Sequence, residues 1–251
     1  KDIFVSGPPD YDKYFKPLSM TRDQFLDSLG IPRSRRIILF AAFYDDYIGS
    51  AVIMLNEMLK AIKDGRLPND IHVICRYRPG TPEIPKEMFE PSENLTITKP
   101  CSLFFEVKNK SLVPTRDWEF SAGDVNMLEN SLAYSNVFVN TYSTIAIDAS
   151  VFDIPVIVVR FDADPKTPVK HQVLKIGDMH DHYRELEETG GMRLVDRMDD
   201  FISSIKFCLD HPEAGREGRK KLVSSQVEFT DGQNGRRAAE FILKELYRRS
   251  A

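Results

Sequence analysis

The sequence is poor in cysteine, in tryptophan and in long apolar runs. Three cysteines, Cys75, Cys101 and Cys208, are scattered along 251 residues. An odd, dispersed set suits neither a disulfide framework nor a zinc site, and it fits free thiols in a reducing compartment. Cys75 sits within an apolar run and is expected to be a buried core thiol. No stretch of about eighteen apolar residues occurs, so no transmembrane segment is expected. Excess positive charge is missing too. A formal charge of −4 and a pI near 5.8 argue against a nucleic-acid binder held by bulk charge. There is no internal repeat, which excludes a solenoid. The chain opens at Lys1 with neither an initiator methionine nor a signal peptide, so it reads as a piece of something longer.

What is present is an ordinary globular balance, 42% hydrophobic and 29% charged. The hydrophobic residues fall into short unbroken runs separated by helical periodicity. Ile37–Phe43, Ile71–Cys75, Leu95–Thr98, Val137–Val139, Val156–Val159 and Met192–Val195 read as strands, and the unbroken apolar runs at 37–43, 137–139 and 156–159 read as buried ones. Between them Ile48–Lys63, Asp124–Tyr134, a short segment after Thr144, Asp181–Thr189 and Met198–Leu209 read as helices. Gly215–Ser225 and a final helix to about Arg249 follow, the last with Ala238, Phe241, Ile242 and Leu246 as its inward stripe. The basic run Arg216, Arg219, Lys220 and Lys221 reads as a solvated helix face. The sum is an α/β fold, a Rossmann-like doubly wound parallel sheet of about six strands. Residues 1–34 carry only a short helix, Met20–Leu29, and are expected to be an inter-domain linker and leading segment packed on a domain spanning 35–251.

The centre of the pattern is residues 134–160, a strand, polar loop, helix and strand. A helix that starts after a parallel strand offers free N–H groups and a positive dipole end to phosphate. Thr141, Ser143 and Thr144 add hydroxyls there, and Asp148 lies one turn further on, where a carboxylate can accept from ribose hydroxyls. The same residues could equally serve as a plain helix cap, so spacing alone leaves both readings open. Arg76 and Arg78 stand at the carboxyl end of the second strand, where ligands gather in open α/β sheets, and a guanidinium fork suits phosphate. Residues 99–123 form a long stretch of little periodicity containing the only tryptophan, Trp118, which could stack on a base or sugar or pin the loop to the core. His180 and His182 lack the spacing of a metal pair, and no metal site is expected.

Four strings carry a family resemblance. Ser143-Thr144-x-x-x-Asp148-Ala149, followed by Phe152-Asp153-Ile154-Pro155-Val156-Ile157, resembles the donor-binding half of GT-B glycosyltransferases. Ser6-Gly7-Pro8-x-x-Tyr11-Asp12 looks like the inter-domain linker that leads into that half. Arg76-x-Arg78-Pro79 is similar to the basic loop of glycerophosphotransferases that build teichoic-acid-like polymers, and Asp231-Gly232 through Ala239 resembles their tail. The pattern departs at Phe43-Tyr44-Asp45, which is bulky where the family is small, at Arg78, where histidine is common, and at Asp148, where glutamate is common.

The resemblance implies one half of a GT-B architecture that binds a UDP- or CDP-linked donor and stabilises the departing nucleotide electrostatically. It implies Arg76, Arg78, Thr141, Ser143 and Thr144 on the diphosphate, Asp148 on the ribose, and Tyr142, Thr98 and Trp118 near the base or sugar. No cofactor is implied, since the nucleotide sugar is a substrate. The implied partners are a missing amino-terminal GT-B domain and a saccharide or lipid-linked acceptor of surface-polysaccharide type. The catalytic base would lie in the missing half, leaving the isolated domain inactive or nearly so. A cytoplasmic location, or a peripheral one at the inner membrane face, goes with that reading. Two alternatives remain at this point: a non-hydrolysing UDP-N-acetylglucosamine 2-epimerase-like enzyme, and a non-catalytic binding or scaffold domain.

Overall fold

The computed structural model describes residues 3–41, 47–78, 84–100, 120–168, 172, 173, 175 and 181–250. Six strands form one all-parallel sheet: β1 (Arg36–Phe40), β2 (Ile71–Arg76), β3 (Leu95–Thr98), β4 (Val137–Asn140), β5 (Val156–Val159) and β6 (Met192–Val195). Their order is β3-β2-β1-β4-β5-β6. This is the doubly wound arrangement, and the direction of winding reverses between β1 and β4.

The unbroken runs have a simple cause. Alternate residues of each strand feed opposite faces, and both faces are covered. Ile38, Phe40, Val73 and Val139 enter one core with α2 (Ile48–Lys63). Ile37, Leu39, Ile74 and Phe138 enter the other, with Phe25 and Leu26 of α1 (Arg22–Ser28), Leu132 of α3 (Ala122–Ala133) and Ala146 of α4 (Ile145–Val151). Cys75 and Cys208 are free, buried thiols, and Cys101 lies outside the described residues.

The leading segment is fastened at several points. Thr21 closes α1 with a capping box to Gln24. Tyr14, Phe25, Leu26 and Ile31 are buried. A 3-10 turn, Pro9–Phe15, carries Asp12, whose carboxylate accepts from the backbone N–H groups of Asn234 and Gly235 at 2.9 and 2.8 Å.

Four more helices are seen among the described residues: α5 (Asp181–Glu188), α6 (Met198–Asp210), α7 (Arg216–Val227) and α8 (Asn234–Ser250). Two of them depart from expectation. In α8, Phe241 stacks on Phe4 at 4.3 Å, but Ile242 and Leu246 are 57% and 58% exposed. Periodicity fixes which residues share a helix face, and it does not supply a surface to receive them. In α7, Arg219 is not on a solvated face. It is 1% exposed, its Nε donates to Asp153 at 2.9 Å, and its Nη atoms donate to the carbonyls of Ala214 and Pro212 at 2.7 and 3.0 Å. A buried guanidinium needs that many acceptors, and Asp153 comes from 66 residues earlier in the chain.

Candidate functional site

The carboxyl edge of the sheet divides into two unlike halves. On the β3–β2–β4 side, three buried side chains end their strands with a polar atom that has no hydrogen-bond partner among the described residues. These atoms are Nη1 of Arg76, Oγ1 of Thr98 and Oδ1 of Asn140. Arg76 and Thr98 are register partners across β2 and β3. Asn140 flanks the switch between β1 and β4, beyond Val139, whose carbonyl accepts from the Ala41 N–H at 2.9 Å.

Orphaned buried polar atoms are uncommon because each carries an unrecovered desolvation cost. Three of the six such atoms among the described residues lie together at the carboxyl edge of the sheet, the edge where open α/β sheets take their ligands. Their chemistry is mixed: the guanidinium donates and calls for an anion, Oδ1 of Asn140 accepts, and the threonine hydroxyl can do either.

Arg76 is 6% exposed. Burial lowers its pKa, and the nearby Asp124 opposes that shift. Its Nη2 donates weakly to the Asp124 carbonyl at 3.4 Å. The Asp124 carboxylate itself serves the α3 cap, accepting from the Ser121 N–H at 3.0 Å and hydroxyl at 2.7 Å. Arg78, two residues on, is exposed.

The loop from Thr141 to Thr144 joins β4 to α4. Thr141 is buried, Ser143 is half-buried and Thr144 is exposed. Thr144 is the N-cap residue, yet its side chain makes no cap hydrogen bond. No side chain caps the first turn of α4, and its Ala146 and Ile147 N–H groups donate to the Ser143 and Thr144 carbonyls at 3.2 and 2.8 Å. Tyr142 turns away towards α5, where its hydroxyl donates to Glu187 at 2.8 Å.

Asp148 projects from α4 and accepts a hydrogen bond on Oδ1 from the Tyr14 hydroxyl. Burial raises the Asp148 pKa, partly offset by that hydrogen bond and by Lys13. The Tyr14 pKa is raised in turn, first by burial and then by the carboxylate. Tyr14 was not foreseen, being 134 residues away from its partner. Asn140 could have been: it is a lone amide ending a β-branched run. Trp118 lies outside the described residues, as do Phe43-Tyr44-Asp45 and Pro79. Among the described residues no group of three or more His, Cys, Asp or Glu side chains could hold a metal ion. No described helix is long and apolar enough to cross a membrane.

A search of curated protein sequences finds no match. Among solved structures, the UDP-N-acetylglucosamine 2-epimerase from Neisseria meningitidis bound to UDP-GlcNAc is similar at 14% identity, TM-score 0.59, over 96% of this chain and 55% of its own. The S. aureus MnaA–UDP structure is similar at 15% identity and TM-score 0.59, over 97% and 54%. The wall teichoic acid polymerase TagF is similar at 13% identity and TM-score 0.53, over 96% and 49%. The chain spans about half the length of these structures, and at such identities the likeness is one of fold. The family's sequence profile, by contrast, matches residues 1–244, nearly the whole chain. The chain belongs to the CDP-glycerol:poly(glycerophosphate) glycerophosphotransferase family.

Proposed function

We propose that this chain is the donor-binding half of a GT-B transferase that takes a nucleotide-diphosphate-linked polyol or sugar, CDP-linked in first preference, and delivers it to a surface-polysaccharide acceptor. The observation that carries this reading is the set of unpartnered polar atoms on Arg76, Thr98 and Asn140 at one strand edge. A nucleoside diphosphate ester brings an anion for the guanidinium and hydroxyl donors for the amide. Family membership supplies the preference for cytidine.

In this arrangement the Arg76 Nη1 donates to the pyrophosphate, and the Thr141–Thr144 loop adds N–H and hydroxyl donors. When an acceptor oxygen attacks the β-phosphorus, an O–P bond forms and the P–O bond to cytidine monophosphate breaks. The charge growing on the leaving phosphate falls on Arg76, which needs no metal for that role. If a sugar is transferred instead, the bond broken lies at the anomeric carbon, and the same guanidinium stabilises the departing diphosphate. Asp148 offers its carboxylate to a ribose hydroxyl while Tyr14 holds Oδ1 in place.

Calorimetric titration tests this with CDP-glycerol, CDP, UDP and UDP-N-acetylglucosamine. The expected result is saturable heat, strongest for the cytidine compounds. Heat with none of the four would overturn the reading and favour a scaffold, whereas preference for UDP-N-acetylglucosamine would favour an epimerase-like role.

Asp148→Asn in the same assay should weaken CDP about tenfold, the loss of one charge-assisted hydrogen bond. It should also raise the Tm. A carboxyl whose folded pKa lies above its unfolded value destabilises the protein fully above the folded pKa. That cost is relieved as pH falls towards the ordinary carboxylate range. Asparagine removes it. A lower Tm for Asp148→Asn at pH 7, with the gap unchanged on acidification, would contradict this account.

A further inference from the structure

Just beyond β4, β5 and β6, a second set of polar side chains is paired across three successive strand ends. Tyr142, two residues beyond β4, donates to Glu187 of α5 at 2.8 Å. Arg160, directly after β5, donates through Nη1 to both oxygens of Glu187 at 3.3 and 3.2 Å, and through Nε to Asp196 at 2.7 Å. Asp196 directly follows β6. A second bond reaches the same loop from α5, because the Tyr183 hydroxyl donates to the Tyr142 carbonyl at 3.2 Å. The two tyrosine rings lie 5.0 Å apart. The Tyr142 ring touches the cores on both faces of the sheet, so it sits over the strand ends rather than on one layer. Burial and the bond to Glu187 push its hydroxyl pKa up to about 12, which keeps it a donor.

We infer that Tyr142 is a positioning residue for the donor diphosphate, and that Glu187, Arg160 and Tyr183 form the clamp that holds it. The inference rests on the donor-site reading above. Thr141 and Ser143 flank Tyr142, so fixing its ring and carbonyl fixes the path of the loop that the donor-site reading places on the phosphates. The clamp is preorganised: its ion pair is only about one-fifth exposed on either side, with Arg160 at 23% and Glu187 at 20%. Without it, Asn140–Thr144 would have to be ordered at the moment of binding, and the phosphate contacts would lose that ordering free energy. The β-phosphate, which CMP lacks, should suffer more than the ribose, which Asp148 would hold from within α4. Tyr142 therefore acts on the ligand through the backbone it holds.

The test compares the affinities of CDP and CMP in the same chain, taking their ratio as the contribution of the second phosphate. Tyr142→Phe and Glu187→Ala are each expected to lower the ratio about fivefold, the worth of one hydrogen bond. The Tm of Tyr142→Phe should stay near wild type, whereas Glu187→Ala, which also takes an anion from Arg160, should melt lower. Glu187→Gln, whose amide oxygen still accepts the Tyr142 hydroxyl, should recover part of the loss seen with alanine. Arg76→Met serves as reference, because it removes a proposed phosphate ligand directly. If Arg76→Met collapses the ratio while Tyr142→Phe and Glu187→Ala leave it unchanged, the clamp is refuted and the donor site stands. A Tyr142→Phe variant that weakens CDP and CMP equally and melts lower would refute positioning in favour of a general structural role. A ratio untouched by Arg76→Met would refute the donor site, and the clamp with it.

Discussion

Replacing Arg76 with methionine is expected to abolish most nucleoside-diphosphate binding while making the empty protein more stable. The two effects have one cause. Arg76 is a cation 6% exposed with an unpartnered Nη1, so in the empty protein its desolvation is only partly repaid. A bound pyrophosphate supplies the missing anion through charge-assisted hydrogen bonds worth about 2–3 kcal/mol, roughly a hundredfold in Kd. Methionine keeps much of the aliphatic volume and drops the charge. The weak bond from Nη2 to the Asp124 carbonyl, at 3.4 Å, forfeits little. A gain of about 1 kcal/mol, or roughly 2–4 °C in Tm, should accompany the lost affinity. A purely structural arginine would behave oppositely: Arg76→Met would lower the Tm and leave CDP binding intact. Thermal melts and calorimetry on one preparation distinguish the two.

Gly218→Ala is expected to be among the most damaging single changes in the scaffold. Here α7 crosses the turn before β6 at backbone contact, and a Cβ on Gly218 would overlap the carbonyl carbon of Gly190 and the amide nitrogen of Gly191. The converse holds as well, since a Cβ on Gly191 would lie 2.7 Å from the backbone nitrogen of Arg219. Neither neighbour is a flexible side-chain tip, so the helix itself must move. Moving it pulls Arg219 away from Asp153 and the Ala214 and Pro212 carbonyls, which leaves a buried charge short of acceptors. Overpacking and that loss together should cost about 3 kcal/mol, or roughly 6–12 °C in Tm. Denaturant titration gives the value directly. A loss below about 1 kcal/mol would show that α7 can shift without strain.

The central strands were legible in the sequence because burial on both faces leaves no room for polar alternation, whereas the edge strands β3 (Leu-Thr-Ile-Thr) and β6 (Met-Arg-Leu-Val) are only partly buried and carry polar residues. The helices were legible from their stripes and caps, Thr21 with Gln24 being the plainest. Contacts between distant segments were not legible. Nothing local distinguishes Arg219, in a basic run, from its exposed neighbours, because its burial depends on Asp153 in a separate turn. Nothing local marks α8 as leaving Ile242 and Leu246 in solvent. At the site, Arg76 and the Thr141–Thr144 loop could be singled out because polar residues at strand ends are few. Tyr14 and Glu187 could not, since each reaches the site from another element, 134 residues from Asp148 and 45 from Tyr142. Sequence thus names the residues on the strand edge and misses those that hold them in place.

The most direct measurement is a crystal structure of this chain with CDP-glycerol or CDP bound. The account predicts a phosphate oxygen within about 2.7–3.2 Å of the Arg76 Nη1 and a ligand hydroxyl on the Asn140 amide, with Tyr142 unmoved against Glu187. Pyrophosphate density away from the β2–β4 strand ends, with the Arg76 Nη1 still unpaired, would contradict it.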